Sequence, residues 1–444
     1  MDKVYMASSN TAPFVSTVRH RLHSLYAVET ANAISAILLV VGLSFYTSHR
    51  FGWGARENFT VAAFQGVFYM GGALLAKGIS QRWGRERSLL GLYAGMTAFA
   101  IAVGISASMT CAFATAVMAV METGLVAASW PMLESLVSAA GESSQLSKRL
   151  GFYNIIWSSV GAIAVAASGV VIQHAPAWAF FGIIAAGHLF AGALILHPAR
   201  TAMPRPADGD PVQSQDHLGG QRPIATQSLP DETMMRRQRL ALWLSRIALP
   251  STYVVVYGIA PALPSLHAIK QLTPTIATLV GSIWLIARAA AFAITGSTTF
   301  WHKRPCLMVL ASVTMLFAFI GTIVPGTLAK ADLLDALSAM VIAQIVLGLS
   351  IGTIYSASLY FGMAVSDGST RHGGYHEALI GLGQILGPLV GAIMQWIYPG
   401  TLWPAIAAIS GVVSLSVAVE AVVGLRNTGG TGAHDAAKVR RATL

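Results

Sequence analysis

The chain has 444 residues, of which 55% are hydrophobic and only 10% are charged, and its mean hydropathy is +0.62. Soluble domains carry about 25% charged residues, so this composition excludes a soluble globular protein. The net charge of +10 is explained by basic loops on one membrane face and contact with anionic lipids, so it does not require a nucleic-acid partner.

Apolar runs of about 20 residues recur along the chain, which is the length an α-helix needs to cross the ~30 Å hydrocarbon core of a bilayer. They predict an all-α membrane protein with twelve transmembrane helices in two six-helix bundles. The predicted spans of the first half are 25–47, 59–80, 88–108, 111–136, 151–173 and 177–197. Those of the second half are 239–262, 275–298, 306–326, 336–361, 376–398 and 402–424.

The domain organisation follows from these spans. Residues 1–24 form an N-terminal segment, 25–197 the first bundle, 198–238 a flexible linker, 239–424 the second bundle and 425–444 a tail. Most of the 28 Lys and Arg residues fall in the segments and loops of one membrane face. The positive-inside rule therefore places the N-terminus, the linker and the C-terminus in the cytoplasm.

Span 1 carries Glu29 and Asn32, whose three-residue spacing places them on one helical face. An ionised group at the bilayer centre costs about 2.5–3.5 kcal/mol on insertion scales, so a carboxyl group here needs a reason. We interpret Glu29 as a proton-coupling residue and Asn32 as a substrate-binding one. The alternative for Glu29 is snorkelling to the interface. Gln65 in span 2 is a further candidate for substrate binding.

Span 4 carries Glu122 near its middle, with no basic residue within one helical turn. A neutral, protonated carboxyl group is the form favoured there, and such a group can carry a proton. We interpret Glu122 as a second proton-coupling residue; the alternative is a neutral acid hydrogen-bonded between helices.

Span 8 carries Arg288, which keeps its proton in any protein environment. It therefore needs a carboxylate, a substrate anion or water. The first half places acids in its spans and the second half places guanidinium groups, which fits either a salt bridge between the halves or an anionic substrate. Both readings stay open.

Four uncharged candidates for substrate binding lie in spans 5, 10 and 11: Asn154, Trp157, Gln344 and Gln384. Trp157 is a candidate stacking wall, with plain packing as the alternative. The amides can equally hold helices together, at about 0.6 kcal/mol for each hydrogen bond.

An internal repeat relates the two halves. Gly151 and Val160-Gly161 of span 5 match Gly381 and Val390-Gly391 of span 11 at a constant offset, which makes Asn154 and Gln384 equivalent. Chance alignment of glycine-rich apolar helices is the alternative. Parallel repeats around a central site are a transporter architecture.

Twelve spans, a central linker and a basic loop after span 2 together resemble the major facilitator superfamily. In that loop, Arg82-Trp83-Gly84-Arg85 matches the Arg-x-Gly-Arg core of the family signature, whereas Gln81 stands where the family has an acid. Trp130 to Glu134, followed by Leu150 to Ser158, also looks like a poorly characterised bacterial subgroup. The resemblance implies gating roles for Arg82, Gly84 and Arg85. The departure at Gln81 puts the usual gating pair in doubt.

The span-5 motif of the family's drug exporters, Gly-Pro-x-x-Gly, is absent from the matching stretch Ser158 to Gly161. A similar stretch, Gly387-Pro388-Leu389-Val390-Gly391, lies in span 11 instead, where helix packing is the favoured reading. The absence weakens an assignment to drug efflux.

No Walker loop, nucleophile elbow or metal-ligand spacing occurs in the sequence, so we expect neither an enzyme nor a cofactor. We favour a monomeric secondary transporter of the bacterial inner membrane that takes up a small organic solute with protons by alternating access. One alternative is proton-driven efflux of drugs or metabolites. Another is a non-transporting sensor or scaffold with the same fold.

Overall fold

The computed structural model of the protein describes residues 12–140, 145–196, 232–304, 306–366 and 370–442. Within this part of the chain, twelve helices are long and apolar enough to cross a membrane. The predicted number of spans is therefore confirmed, and the predicted ends lie within about four residues of the ends of these apolar stretches, although several helices extend further. Hydropathy finds them because a backbone in lipid must satisfy its polar groups within its own helix.

Helices α1 to α6 form the first half. Their bounds are α1 Ala12–Ile37, continued through a π-helical turn, Leu38–Gly42, to Leu43–Phe51; α2 Ala55–Trp83; α3 Arg85–Ser108; α4 Ala112–Ala139; α5 Leu146–His174; and α6 Ala177–Leu196.

Helices α7 to α12 form the second half. Their bounds are α7 Glu232–Ala262; α8 Pro274–Gly281, continued by Ile283–Ser297; α9 Cys306–Thr327; α10 Leu333–Ser366; α11 Thr370–Ile397; and α12 Trp403–Ala442. Helix α12 thus continues past 424, the predicted end of the last span. Residues 198–231 of the predicted linker lie outside the described residues, and the remainder of that stretch is already part of α7.

The two halves meet mainly through two helix pairs, α2 beside α11 and α5 beside α8. Helices α3, α6, α9 and α12 make their main contacts within their own half. The inner helices α1, α2, α4, α5, α7, α8, α10 and α11 therefore carry the surfaces that the halves turn toward each other.

The π-helical turn in α1 is stabilised by a side chain from α2. Gln65 donates its amide N–H to the carbonyl oxygen of Leu39 at 3.2 Å and to Oγ1 of Thr123 at 3.1 Å. A π turn disturbs the regular backbone hydrogen-bond ladder, and such turns are frequent at functional sites. Here the turn lies where α1 borders the interface between the halves.

The membrane face at which α2 ends and α3 begins is called the basic face below, and the opposite one the far face. Toward the far face, glycines bring the halves into close contact. A Cβ on Gly66 or Gly169 would collide with backbone atoms of the other half, and one on Gly391 with the ring of Phe59. We call these three glycines the far-face seam. Small residues permit this close approach of helices in lipid.

Hydrogen bonds between α5 and α8 reinforce the seam at the far face. The backbone N–H of Gly169 donates to Oγ1 of Thr278 at 3.1 Å, and Oγ1 of Thr275 donates to Oε1 of Gln173 at 2.7 Å. The two halves are thus closed against each other on this side.

Candidate functional site

A narrow cavity lies between the two halves. Its walls come from α1, α2, α4 and α5 of the first half and from α7, α8, α10 and α11 of the second. Glu134, Trp157 and Glu377 lie toward the basic-face ends of their helices. The cavity is therefore central and displaced toward the basic face, on the side away from the far-face seam.

Arg288 of α8 lines the cavity with a guanidinium group that is 3% exposed. Its Nε donates to Oγ of Ser158 at 3.1 Å, and its Cζ lies 4.4 Å from the ring centroid of Trp157 and 5.3 Å from that of Trp284. Its Nη2 is buried without a hydrogen-bond partner. Among the described residues, no carboxylate lies within 4.0 Å of it. A buried cation without a counter-ion is costly, so Arg288 is a candidate for binding an anion.

Trp157 forms part of an aromatic wall of the cavity. Its ring centroid lies 6.1 Å from that of Trp130, 5.7 Å from that of Phe292 and 5.9 Å from that of Tyr355. Its indole N–H donates to Oδ1 of Asn154 at 3.0 Å. Asn154 does not itself line the cavity; it fixes the orientation of the tryptophan that does.

Two carboxyl groups from opposite halves line the cavity, Glu134 of α4 and Glu377 of α11. The phenol of Tyr69 donates to Oε2 of Glu377 at 3.1 Å. The two carboxyl groups are close enough to interact electrostatically, so they repel each other when both are charged. We call Tyr69, Glu134 and Glu377 the acid pole.

Glu122 lies inside the first half and not at the cavity. Its Oε1 is 3.2 Å from Nε2 of His188 on α6, and both side chains are fully buried. The atoms are within ion-pair distance but not aligned as a hydrogen bond. Glu122 and His188 are far apart in the chain, so no local sequence pattern predicts this pair; folding brings the two side chains together.

Glu29 and Asn32 are also fully buried, and none of their side-chain polar atoms makes an aligned hydrogen bond. The snorkelling alternative for Glu29 is therefore wrong. Glu29 is close enough to Tyr153 and to Glu134 of the acid pole to interact with both electrostatically. It stands between the cavity and the interior of the first half.

The remaining predicted amides lie among the helices and not on the cavity wall. Gln65 holds the π turn, as described above. Gln344 and Gln384 are fully buried, and their amide atoms have no hydrogen-bond partner. Of the seven predicted substrate-binding residues, the structure brings Trp157 and Arg288 together at the cavity.

The basic loop after α2 is reduced to a single residue. Gly84 has φ +79, a conformation that favours glycine, and it separates α2 from α3. Arg85 donates to Oγ of Ser135 on α4 at 2.7 Å, and the guanidinium of Arg82 lies 5.8 Å from the ring centroid of Trp83. These contacts all belong to the first half. The gating roles of Arg82, Gly84 and Arg85 stay a prediction.

Three polar residues of the cavity wall, Tyr69, Glu134 and Glu377, are not among the residues predicted from the sequence to form the site. The available signal was a carboxyl group within an apolar span, which marks a functional candidate wherever it occurs. Glu420 of α12 is a third acid outside the predicted site, and it is fully buried. It accepts a hydrogen bond from Ser312 at 2.8 Å, away from the cavity.

A cavity enclosed by eight inner helices of two six-helix halves, with buried ionisable groups on its wall, defines a secondary transporter as the class of protein. The comparison with protein families gives the family. The Major Facilitator Superfamily matches residues 5–375, and the chain belongs to it.

Solved structures agree with this assignment at the level of the fold. The chain is similar to the nucleoside transporter NupG, with a TM-score of 0.60, 14% identity and coverage of 92% of this chain and 98% of that one. A single-substitution mutant of NupG gives a TM-score of 0.61, again at 14% identity, covering 92% and 99%. A comparison with curated proteins found no match.

Proposed function

We propose that the protein takes up a small organic solute bearing an anionic group, coupled to protons, by alternating access between the two membrane faces. The observation that carries this proposal is Arg288, a buried guanidinium at the central cavity whose Nη2 has no partner. An anionic group of the solute is the counter-ion that the cavity wall does not supply. The basic face is taken as cytoplasmic, following the predicted distribution of Lys and Arg.

The asymmetric closure of the halves supports alternating access. The far-face seam holds α2 against α11 and α5 against α8, while the cavity lies nearer the basic face. Transport then requires the seam to part and the basic-face end to close. Rocking of one bundle against the other around a fixed site is the motion that repeat-built transporters use.

Proton coupling is assigned to Glu29 and Glu122. Both are fully buried in the first half, and Glu29 interacts with the acid pole, so its charge state is felt at the cavity. Glu122 is paired with His188, a partner that can exchange a proton with it. Protonation of these groups would change the charge that the first half presents to the second.

The test is uptake into proteoliposomes driven by an imposed pH gradient. The solute panel comprises organic acids, amino acids and, because NupG is a nucleoside transporter, nucleosides. Glu122→Gln is expected to abolish the dependence of uptake on the gradient. The surface variant Asp335→Asn, on an exposed residue, is the control and retains wild-type flux.

Unchanged gradient-driven uptake in Glu122→Gln would remove the coupling role of that residue. Accumulation in the opposite direction, with protons entering as solute leaves, would replace uptake by efflux. Absence of flux for every solute in either direction would contradict the proposed function.

A further inference from the structure

The cavity has two poles of opposite charge that do not pair with each other. Arg288 of α8 stands on one part of the wall, and the acid pole of Tyr69, Glu134 and Glu377 on another. Among the described residues, neither carboxyl group lies within ion-pair distance of the guanidinium. The sequence left open a salt bridge between the halves or an anionic substrate. Among the described residues, the structure has no such salt bridge at Arg288.

We propose that the solute is a zwitterion with a ring: its anionic group binds Arg288, its amino group binds the acid pole, and its ring packs on the aromatic wall around Trp157. This inference rests on the proposed transport function and specifies its substrate class. Aromatic α-amino acids and related ring-bearing amino carboxylates have this chemistry.

The guanidinium group of Arg288 is held in place by its neighbours. Trp157 and Trp284 both contact the guanidinium, and Ser158 accepts from Nε, so the group is held in one orientation. The free Nη2 remains as a donor. A planar guanidinium presents a fork of N–H groups that matches a carboxylate, so a carboxylate is the preferred anion.

The carboxyl group of Glu377 can accept more hydrogen bonds than it receives within the chain. Glu377 is 5% exposed and receives one hydrogen bond of 3.1 Å, from Tyr69, whereas a carboxylate can accept about four. Glu134 adds a second carboxyl group from the other half. An ammonium group offers three N–H donors and a positive charge, so it can donate to both acids and balance the charge of the ionised one.

Charge balance favours the same solute. With one proton on the acid pole, the cavity carries one positive and one negative charge at separate places, and a zwitterion complements both. A simple anion leaves the acid pole without a cation, and a simple cation leaves Arg288 without an anion. Burying an unmatched charge costs far more than burying a matched one.

The ring belongs on the remaining wall. Trp130, Trp157, Phe292 and Tyr355 form a continuous set of edge-to-face and tilted contacts with centroid distances of 5.2 to 6.1 Å. Trp130, Trp157 and Tyr355 of this set line the cavity. Aromatic pairs stabilise a complex by about 0.5–1.5 kcal/mol beyond the area they bury, so a ring gains affinity there.

The experiment measures binding to the purified full-length protein by isothermal titration and thermal shift. The probes are L-phenylalanine, L-tyrosine and L-tryptophan as zwitterions, 3-phenylpropionate as the matched anion and phenethylamine as the matched cation. At least one zwitterion is expected to bind at least tenfold more tightly than either single-charge analogue.

Two variants test which charged group of the solute binds Arg288 and which binds the acid pole. Arg288→Gln is expected to remove the preference for the zwitterion over phenethylamine, and Glu377→Gln the preference over 3-phenylpropionate. Arg288→Lys keeps the positive charge and is expected to retain part of the preference. It therefore distinguishes loss of the charge in Arg288→Gln from a folding defect. Asp335→Asn is the matched surface control.

Equal or tighter binding of 3-phenylpropionate would overturn the proposal of a zwitterionic solute. It would remain consistent with transport of an anion. Failure of all three zwitterions to bind would also overturn it, and the proteoliposome panel would still decide whether the protein transports another solute. Loss of all flux for every class would contradict the proposed function itself.

Discussion

At the scale of single residues, side chains that do not touch the cavity set the position of those that do. Asn154 was predicted to bind substrate, but its contact is with the indole N–H of Trp157 at 3.0 Å. Trp157 in turn stacks against the guanidinium of Arg288. A polar residue within a span can therefore act by orienting a neighbouring side chain as well as by binding the solute.

Replacing Asn154 by Ala should weaken solute binding without abolishing it. The change leaves the buried indole N–H of Trp157 without a partner, which costs about 1–3 kcal/mol, and lets the ring rotate away from Arg288. A cost of about 1.4 kcal/mol, within this range, corresponds to a tenfold fall in affinity, which is the change we expect. Titration of the transported solute measures it. Ser414→Ala, on an exposed side chain, is the control. Undiminished affinity would contradict the positioning role.

The pair Glu122 and His188 should behave as one energetic unit. Removing His188 alone, as His188→Ala, leaves a buried carboxyl group without its partner and should lower the free energy of unfolding by about 1–3 kcal/mol. The double variant Glu122→Ala/His188→Ala should cost less than the sum of the single changes, because the two side chains contact each other. Thermal unfolding of all three variants measures this coupling, and simple additivity would contradict it.

At the scale of helices, close glycine contacts hold α11 in place on two sides. A Cβ on Gly383 or Gly387 would collide with the backbone of α7, and one on Gly391 with Phe59 of α2. The motif Gly387 to Gly391 therefore serves packing, as the sequence favoured. It places α11 against its own half and against the opposite half at once.

A side chain at Gly391 should disturb the seam. Gly391→Val drives two methyl groups into the ring of Phe59, and overpacking of this kind costs about 1–3 kcal/mol. We expect a lower melting temperature in detergent and in lipid. Gly411→Val is the matched control, since a Cβ there meets open space. Equal melting temperatures for the two variants would show that the seam does not contribute to stability.

The sequence predicted the helices well and the site only in part. Each span is defined by its own apolar residues, so local hydropathy is enough to find it. The acid pole joins Glu134 of one half to Glu377 of the other, and no local pattern connects residues so far apart. Arg288 was found because a guanidinium within a span stands out by itself. The contact of Gln65 with the π turn could not be predicted, because nothing in the sequence indicates a π turn in the neighbouring helix.

At the scale of the whole molecule, the structure is closed on one face and has its cavity toward the other. The pairs α2 with α11 and α5 with α8 form the seam between halves, and the same pairs contribute residues to the cavity wall. Motion that parts the seam must therefore also change the cavity. Solute binding and closure are linked through shared helices.

Accessibility of a single cysteine should report this asymmetry. Val256→Cys, on the cavity wall, is placed in a background in which the exposed Cys111 and Cys306 are replaced by Ser. We expect a small impermeant thiol reagent to label it from the basic face and not from the far face. Adding Gly391→Val should permit labelling from the far face. Asp335→Cys, exposed near the far-face start of α10, is the positive control there. Equal labelling of Val256→Cys from both faces in the parent would contradict a closed seam.

The far-face seam also bears on how such a chain can diversify. At Gly66 the opposing surface is main chain, and at Gly169 it is the main chain of Pro274 together with Oγ1 of Thr278, so trimming side chains cannot make room for a Cβ at either position. The aromatic wall and the acid pole consist of side chains and can be exchanged one at a time. Libraries built to redirect specificity should therefore mutate the cavity wall and leave these two glycines unchanged, because a single added methyl group there collides with the opposite bundle and does not alter the side chains that line the cavity.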